Sequence, residues 1–355
     1  MYKPGLKGIK AVETELSYID GGQGILSYRG LLIDDIVKKY SFEEVAFYLL
    51  HGEFPEQNGL NDFCAKLTEY REIPNHVKWI IDSLPASHSI MDVLRTAISS
   101  VTLASSDKTD HAMKLISIMP SIVAYRYRQI NNKSIFKSRN DLNHIENFLY
   151  KLTGNINQNH AKMLEAYMIM TMEHGLNAST FSARVTISTE SDMVSAITSA
   201  IGTMKGPLHG GAPSGVIELL NEIQTEDKIS EIIHKKLQNK ERIMGFGHRV
   251  YKTLDPRATA LKEIILQLDE IPDWVNLALK TEIETIKILQ SLKPDQKLYT
   301  NVEYYAAAIM KSLEIDPELF TAIFSSSRIV GWCAHTIEQS NNNTIFRPTA
   351  KYIGV

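Results

Sequence analysis

Three histidines stand at breaks between predicted helices, where an imidazole can meet a ligand. His174 ends a helix just before a glycine, His209 lies in the glycine- and proline-rich loop 206–211, and His248 closes the loop 245–248. Loops on a helical scaffold commonly carry function, and imidazole exchanges protons or donates hydrogen bonds near neutral pH. We therefore take these three histidines as candidate catalytic or binding residues.

The other eight of the 11 histidines have less distinctive surroundings. His335, in the last apolar helix, is interpreted as a core histidine with its hydrogen bonds satisfied. The remaining seven lie on or near polar helix faces, where a solvated or capping imidazole is the simpler interpretation. These seven are His51, His76, His88, His111, His144, His160 and His234.

Three arginines could form an anion site, and one glutamate is a candidate base. Arg328 interrupts an otherwise apolar helix, and a buried guanidinium needs an anionic partner. That partner is either an internal Asp or Glu, or the carboxylate or phosphate of a ligand. Arg257 follows a loop histidine, and Arg347 follows an Asn-rich loop. Glu303 stands in the first turn of a predicted helix, where a carboxylate is ordinarily an electrostatic cap.

Together these residue types suit proton abstraction next to a carbonyl. The carboxylate would act as the base, a neutral imidazole would stabilise the enolate oxygen, and the arginines would hold an anionic electrophile. A metallohydrolase would instead need closely spaced ligands such as HExxH, and the sequence contains none. The residues by themselves therefore indicate enolate chemistry without a metal.

The elements that must position these residues are nearly all helical. Apolar residues recur with helical spacing from residue 41 onward, and Ser41 with Glu44 has the pattern of a capping box. Before residue 30 the pattern differs: partial alternation over 9–17, a turn at 20–22 and an apolar run at 25–29 predict a β-hairpin. The predicted helices cover 41–50, 60–70, 76–84, 90–103, 111–130, 141–152, 161–173, 191–204, 214–223, 258–268, 273–292, 301–313 and 317–339.

The composition is that of an ordinary globular protein, with 355 residues, 44% of them hydrophobic and 22% charged. It excludes a disordered chain and a disulfide scaffold. A net charge of -3 provides no general attraction for nucleic acid or anionic lipid. The two cysteines, Cys64 and Cys333, form no CxxC pair, and no membrane-length apolar run or leader segment is evident. We therefore expect a cytoplasmic protein with neither a nucleic-acid nor a membrane partner.

The order and spacing of these motifs resemble those of the citrate synthases, including the 2-methylcitrate synthases. The resemblance extends over essentially the whole chain, and the combination of GPLHGG, GFGHRVYK and DPR is highly specific. The matching strings are EHGLNAST at 173–180, GPLHGG at 206–211, GFGHRVYK at 245–252, DPR at 255–257, NVE at 301–303, SR at 327–328 and RP at 347–348.

The resemblance implies a mainly α, two-domain citrate synthase-like fold with a short N-terminal β-hairpin. Residues 1–210 and 315–355 would form a large domain with the dimer interface, and 211–314 a small domain with the CoA-binding and catalytic loops. Oxaloacetate would bind in the cleft, close the domains and exclude water. The homodimer would have an active site shared between subunits.

Three residues would carry the chemistry of such an enzyme. His209 would hydrogen-bond the thioester carbonyl of acetyl-CoA and stabilise its enolate, and His248 would polarise the ketone of oxaloacetate. Glu303 would remove the methyl proton. Citryl-CoA would form by Claisen-type attack and then be hydrolysed to citrate and CoA.

The resemblance also implies which residues hold the substrates. Acetyl-CoA is a cosubstrate, and neither a permanently bound cofactor nor a metal is expected. The carboxylates of oxaloacetate and citrate would be held by His174, Arg257, Arg328 and, from the other subunit, Arg347. The adenine end of CoA would contact the backbone of Met244, Gly245, Phe246 and Gly247, with Lys252 at a phosphate.

Glu303 departs from the aspartate that most of this family has at the same place. Its extra methylene shifts the carboxylate, and a misplacement of about 1 Å can cost on the order of a hundredfold in rate. A subset of the family carries the same glutamate, which favours an active enzyme. Two alternatives stay open: a 2-methylcitrate synthase using propionyl-CoA, since one methylene discriminates by only about 1–3 kcal/mol, and a weakly active CoA-binding regulatory homologue.

Overall fold

The structure is a computed structural model that describes residues 2–210, 214–248, 250–267, 271–292 and 298–354. Near its start lies a small antiparallel sheet of β1 (Ser17–Asp20), β2 (Ile25–Tyr28) and β3 (Leu31–Leu32), in that order. Its register pairs Ser17 with Tyr28 and Asp20 with Ile25. The predicted hairpin is therefore confirmed.

The position predicted for the first strand, 9–17, is wrong, because β1 begins only at Ser17. The turn explains the difference. Asp20 Oδ1 accepts hydrogen bonds from the backbone N–H groups of Gly22 at 2.9 Å and Gln23 at 3.0 Å. These bonds close the turn immediately after Asp20, and the four residues of β2 then pair with 17–20 on its other side.

The rest of the described chain is helical, and each predicted helix has a counterpart. Three helices, α1, α9 and α12, were not predicted. The helices are α1 Ile33–Lys39, α2 Phe42–His51, α3 Gln57–Glu69, α4 Asn75–Ser83, α5 Ile90–Ser99, α6 Lys108–Ile130, α7 His144–Thr153, α8 Gln158–Thr171, α9 Ala178–Ile187, α10 Met193–Met204, α11 Ser214–Ile223, α12 Ile229–Gln238, α13 Pro256–Leu266, α14 Asp273–Leu292, α15 Val302–Ser312 and α16 Phe320–Asn341.

Polar side chains begin several helices, and the capping box predicted at Ser41 and Glu44 is confirmed. At α2, Ser41 Oγ accepts from the Glu44 N–H, and the Glu44 carboxylate accepts from the Ser41 N–H at 2.7 Å. At α9, Asn177 Oδ1 accepts from the Thr180 N–H at 3.1 Å. Such caps satisfy backbone donors that the first turn of a helix leaves without a partner.

Helix α16 is the central element of the core. It packs against α6, α9, α10, α2 and α8, and its side chains Phe320, Trp332 and Cys333 are buried. Helices α11, α12, α14 and α15 pack against one another, while α13 packs against α15, α8 and α1. Of the three candidate histidines, His209 lies between α10 of the first set and α11 of the second, His174 lies between α8 and α9, and His248 lies between α12 and α13.

His144 corrects one sequence interpretation, since it is neither solvated nor on a polar face. Only 2% of it is exposed, and its ring stacks on that of Phe42 with centroids 4.7 Å apart. Its backbone N–H donates to the buried Glu43 carboxylate at 2.7 Å. Burial and the nearby Arg71 lower the pKa of His144 to about 3, so the ring is neutral.

Candidate active site

The loop after α10 holds His209 against the start of α9. Gly206 O accepts from the N–H groups of His209 at 2.9 Å and Gly210 at 3.0 Å, forming a tight turn. The turn brings His209 Nε2 within 3.2 Å of the Ser179 backbone N–H. Because a backbone N–H is always a donor, Nε2 must accept, and the proton of the neutral ring lies on Nδ1.

The side chain of Ser179 supports this arrangement. Its hydroxyl lies 2.7 Å from His209 Nε2 and 2.8 Å from Asn177 Oδ1, and it accepts from Trp332 Nε1 at 3.0 Å. Helix α16 therefore braces the histidine through α9. Burial and the charge of Arg328 lower the pKa of His209 to about 4, which keeps the imidazole neutral.

His248 has the opposite tautomer. Its Nδ1 accepts from the backbone N–H groups of Val250 at 3.1 Å and Tyr251 at 3.2 Å, so its proton lies on Nε2. Burial and the neighbouring Arg257 lower the pKa of His248 to about 4. This imidazole is thus a neutral donor at pH 7.

A donor of Arg257 faces the donor of His248. Arg257 Nη2 lies 3.4 Å from His248 Nε2, and both nitrogens carry protons. Two donors cannot satisfy each other, whereas a single carboxylate or carbonyl oxygen beside them would accept from both. The contact therefore outlines a position for an acceptor atom of a ligand.

His174 joins this group through Tyr251. Its Nε2 lies 3.0 Å from the Tyr251 hydroxyl, and its ring centroid is 5.9 Å from that of His248. Burial and the positive charges of Arg257 and Arg328 hold the pKa of His174 well below its ordinary value. The space around this neutral imidazole is strongly electropositive, as an anion site requires.

Arg257 is held by a carboxylate that also fixes the start of α15. Its Nε and Nη2 donate to Asp255 Oδ1 at 3.0 Å and Oδ2 at 2.8 Å, and both side chains are buried. Asp255 Oδ2 also accepts from the Val302 N–H at 3.1 Å. Burial disfavours the charged carboxylate, but Arg257 holds the pKa of Asp255 below its ordinary value. One carboxylate thus links α13 to α15.

Arg328, unlike Arg257, is buried without an ion-pair partner among the described residues. It is 2% exposed, its Nε donates to the Thr171 carbonyl at 2.7 Å, and its guanidinium lies 4.8 Å from the Phe324 ring centroid. Among the described residues, no carboxylate lies within ion-pair distance of it. Of the two sequence interpretations, the internal ion pair is therefore wrong for the described part of the chain.

Glu303 occupies the first turn of α15, as predicted, and the loop 298–301 positions that turn. Asn301 Oδ1 accepts from the Glu303 N–H at 3.1 Å, while Asn301 Nδ2 donates to the Gly247 carbonyl at 2.9 Å. Burial raises the pKa of Glu303 to about 7, although Arg257 opposes the shift. A carboxyl with that pKa can exchange a proton near neutral pH.

The predicted CoA-binding segment 244–247 is held by backbone contacts to the residues before α15. The Gly247 N–H donates to the Tyr299 carbonyl at 2.8 Å, and the Asn301 N–H donates to the Gly245 carbonyl at 2.9 Å. Gly245 has φ +83°, and a Cβ there would lie 2.7 Å from the Tyr304 ring. Met244 is 41% exposed and Phe246 is half-buried, so this segment borders open space.

Lys252 and Arg347 lie at the periphery. Lys252 is exposed, and its backbone N–H donates to the Gly21 carbonyl at 2.7 Å. This bond joins the segment after His248 to the β1–β2 turn. Arg347 is also exposed and lines a different cavity of about 840 Å³ with Glu15 and Arg184. Within the described residues it has no contact with the other six candidate catalytic and carboxylate-binding residues, so one protomer does not bring it to them.

A buried network behind His174 escaped the sequence analysis. Glu173 Oε1 accepts from the Ser17 hydroxyl at 2.9 Å and lies 3.0 Å from His335 Nε2, while Arg184 Nε donates to His335 Nδ1 at 2.9 Å. His335 is thereby confirmed as a core histidine with satisfied nitrogens. The only signal of this network in the sequence is that Glu173 directly precedes the candidate residue His174.

Neither a metal centre nor a membrane segment is found in the described part of the chain. No group of three or more His, Cys, Asp or Glu side chains there could hold a metal ion. None of the helices in the described ranges combines the length and apolar character needed to cross a bilayer.

The chain matches a known protein family over most of its length. The family model described as "Citrate synthase, C-terminal domain" matches residues 5–349. A citrate synthase of Deinococcus radiodurans is 40% identical, with 99% of this chain and 95% of the relative covered. A 2-methylcitrate synthase of Shewanella oneidensis is 37% identical, with 99% and 94% covered.

Solved structures have the same fold. The citrate synthase of Thermotoga maritima superposes with a TM-score of 0.88 at 39% identity, covering 100% of this chain and 96% of that one. The Thermoplasma acidophilum citrate synthase, in a ternary complex with carboxymethyl coenzyme A and oxaloacetate, gives 0.87 at 31% identity, covering 98% and 95%. The chain described here belongs to the citrate synthase family of acyltransferases.

Proposed function

We propose that this enzyme condenses acetyl-CoA with oxaloacetate and hydrolyses the resulting citryl-CoA to citrate and CoA. The observation that carries the proposal is the pair of neutral imidazoles whose tautomers are set by backbone N–H groups. His209 presents Nδ1–H and His248 presents Nε2–H, each as a donor suited to a carbonyl oxygen. A carboxyl of pKa about 7, Glu303, completes the set.

Oxaloacetate binds first to the electropositive part of the site. Arg257, Arg328 and His174 hold its carboxylates, which give the buried Arg328 a counter-charge, since no carboxylate of the described residues lies within ion-pair distance of it. The ketone oxygen accepts from His248 Nε2–H. This hydrogen bond draws electron density from the ketone carbon and prepares it for attack.

Glu303 then removes a proton from the methyl group of acetyl-CoA. His209 Nδ1–H donates to the thioester oxygen and stabilises the enolate that forms. The enolate carbon attacks the ketone carbon and forms the new carbon–carbon bond, while the π electrons of the ketone move to its oxygen. That oxygen takes the Nε2 proton of His248 and becomes the hydroxyl of citryl-CoA. Water finally cleaves the thioester, releasing CoA and citrate.

CoA lies along Met244, Gly245, Phe246 and Gly247, with Lys252 at a phosphate. Two observations support this position. Met244 and Lys252 are exposed, and a hydrogen bond from Asn301 Nδ2 to the Gly247 carbonyl joins this segment to the start of α15, which carries Glu303. A CoA molecule held there directs its acyl end towards α15.

The proposal divides the chain into a large domain of 1–210 and 315–355 and a small domain of 211–314. Its support is the mutual packing of α11, α12, α14 and α15. His174 and Arg328 belong to the large domain, and His248 and Arg257 to the small one. A ligand that bridges them favours the closed form through its differential affinity for it.

We further propose a homodimer in which Arg347 completes the partner's site. The support is its position, since it is exposed and out of contact with its own protomer's candidate residues. A cytoplasmic location accompanies the proposal, because Cys64 and Cys333 are free thiols, as a reducing compartment would leave them.

Propionyl-CoA is the second candidate acyl donor. The observation in its favour is that relatives named as citrate synthase and as 2-methylcitrate synthase are nearly equally similar to this chain, at 40% and 37% identity. Discrimination by one methylene is weak in an apolar pocket, about 1–3 kcal/mol. Both thioesters therefore belong in the assay.

The test is thiol release by the purified protein with oxaloacetate and either acetyl-CoA or propionyl-CoA. We expect release that requires oxaloacetate and is faster with acetyl-CoA. Faster release with propionyl-CoA would assign the enzyme to 2-methylcitrate synthesis. Absence of oxaloacetate-dependent release with both thioesters would overturn the catalytic proposal and leave the regulatory homologue.

A further inference from the structure

A second cluster of basic side chains surrounds a small cavity outside the site described above. The cavity has a volume of about 60 Å³ and lies between α4, α6, α7 and the loop 131–143. Its charged lining consists of Lys78, Arg128, Lys137, Lys151 and Glu72. Four cations and one carboxylate leave a formal charge of +3 around a space of this size.

Lys151 is the most unusual member of this cluster, since it is only 6% exposed. Its Nζ donates to the hydroxyls of Ser121 at 3.0 Å and Ser138 at 3.2 Å. An ammonium has three donors, and no carboxylate among the described residues lies within ion-pair distance. Burial lowers the pKa of Lys151 to about 8, a shift that Glu72 opposes and Lys78 increases, so the carboxylate at the cavity compensates the buried charge only in part.

Arg128 is the second buried cation at the cavity, with 7% of it exposed. Its Nη1 donates to the Leu152 carbonyl at 2.6 Å, its Nε donates to the Ser134 carbonyl, and its guanidinium lies 4.3 Å from the Phe136 ring centroid. These contacts are to neutral groups. Arg257, in contrast, is buried against a carboxylate.

We propose that this cavity binds a phosphate group. A water needs about 10–15 Å³, so about 60 Å³ accommodates about four to six non-hydrogen atoms, and a phosphate ion has five. Basic side chains of α4, α6, α7 and the loop 131–143 line the cavity, and donors on several sides suit the oxygens of a tetrahedral anion better than a single-atom ion. The bound charge compensates Lys151 and Arg128 together.

The phosphate group is either a free inorganic ion or part of a nucleotide. The cavity is too small for a base and sugar, which would extend past Ile135, a residue 47% exposed at its rim. Inorganic phosphate and AMP are therefore the two probes. Binding by either supports the site, and the tighter one identifies the source.

The experiment is calorimetric titration of the full-length protein with each probe, with saturating oxaloacetate and CoA present so that the catalytic cluster is occupied. Ionic strength is held constant with chloride. Lys151→Met keeps the length of the side chain and removes the charge, and we expect it to weaken binding by about tenfold or more. Lys162→Met makes the same change at an exposed position on α8 and should leave the affinity unchanged.

Lys78→Met provides a second test that does not alter a fully buried position, because Lys78 is only half-buried at the wall of the cavity. It should weaken phosphate binding several-fold while the circular dichroism stays that of the wild type. Equal dissociation constants for wild type and both cavity variants would overturn the proposal. So would binding of phosphate no tighter than that of chloride, or an equal loss in Lys162→Met.

Discussion

At the scale of single residues, the proposed chemistry depends on which nitrogen of each histidine carries the proton. Main-chain N–H groups determine this in both loops: Ser179 for His209, and Val250 with Tyr251 for His248. A main-chain donor cannot reverse its role, unlike a hydroxyl. Both imidazoles therefore present a donor to the substrates without a change of protonation.

Glu303→Gln should abolish proton removal because the amide has the size of the carboxylate but no basic oxygen. We expect a loss of about 10²–10⁴-fold in the exchange of deuterium into a non-condensing acetyl-CoA analogue. Glu303→Asp, which keeps the charge with a shorter reach, should retain more activity than Gln. Exchange at the wild-type rate in Glu303→Gln would show that another group is the base.

The raised pKa of Glu303 makes a prediction about pH. Below about pH 7 this carboxyl is protonated and cannot act as a base, so kcat/KM for acetyl-CoA should fall as the pH drops through about 7. His209 and His248, with pKa values lowered to about 4, stay neutral over the same range. The measurement is a pH–rate profile with saturating oxaloacetate, and a profile that is flat through pH 7 would contradict the assignment.

At the scale of elements, the start of α15 is fixed by contacts from distant segments. Asp255 Oδ2 accepts from the backbone N–H of Val302, the first residue of the helix. Asn301 Nδ2 donates to the Gly247 carbonyl, which joins the helix start to the loop 245–247. Helix α9 similarly fixes the His209 loop while it is itself braced by Trp332 of α16. Glu303, the proposed base, thus stands at a helix start, and His209 stands in a loop, and polar bonds from other segments hold both in position.

Asp255→Asn should destabilise the protein and weaken oxaloacetate binding, because it leaves Arg257 buried without a counter-charge. Removal of one member of a buried pair costs about 3–5 kcal/mol, measurable as the free energy of unfolding in urea. Asp141→Asn is a matched control, since it removes the carboxylate of the exposed pair with Arg139, where the expected cost is about 0–1 kcal/mol. Similar losses in both variants would mean that the Asp255 pair does not stabilise this junction.

At the scale of the whole molecule, Arg347 lies away from the other candidate site residues of its own protomer. The segment that contains Arg347 runs beside α9. There the Phe346 N–H donates to Ser188 Oγ at 3.3 Å, and the Phe346 ring packs against the Phe181 ring with centroids 5.3 Å apart. The guanidinium is exposed at the surface of the protomer. A site shared between two copies is the arrangement in which this residue can contribute to catalysis.

Complementation tests this arrangement. Arg347→Ala and His248→Ala should each be nearly inactive as homodimers. In a mixed dimer, one site combines the intact His248 of one chain with the intact Arg347 of the other, so part of the activity should return after mild dissociation and reassociation. Verified heterodimers that stay inactive, under treatment from which wild-type chains recover, would show that Arg347 does not act across the interface.

Local pattern was enough to predict most of the helices and to identify the candidate site residues. Helical spacing of apolar residues appears within a single segment, which is why α2, α6 and α14 were found. The motif strings similarly name His209, His248 and Arg257 without knowledge of any contact. These features depend on neighbours in the sequence, so the sequence by itself determines them.

Long-range packing decided the rest. Helix α9 has small and β-branched residues with little periodicity, and it is stabilised by its contacts with α10 and α16. The burial of His144, the contact of Arg328 with the Thr171 carbonyl and the tautomer of His209 each depend on segments far away in the sequence. Composition and spacing do not predict such contacts, because the contacts form only when helices pack and exclude water from the groups between them.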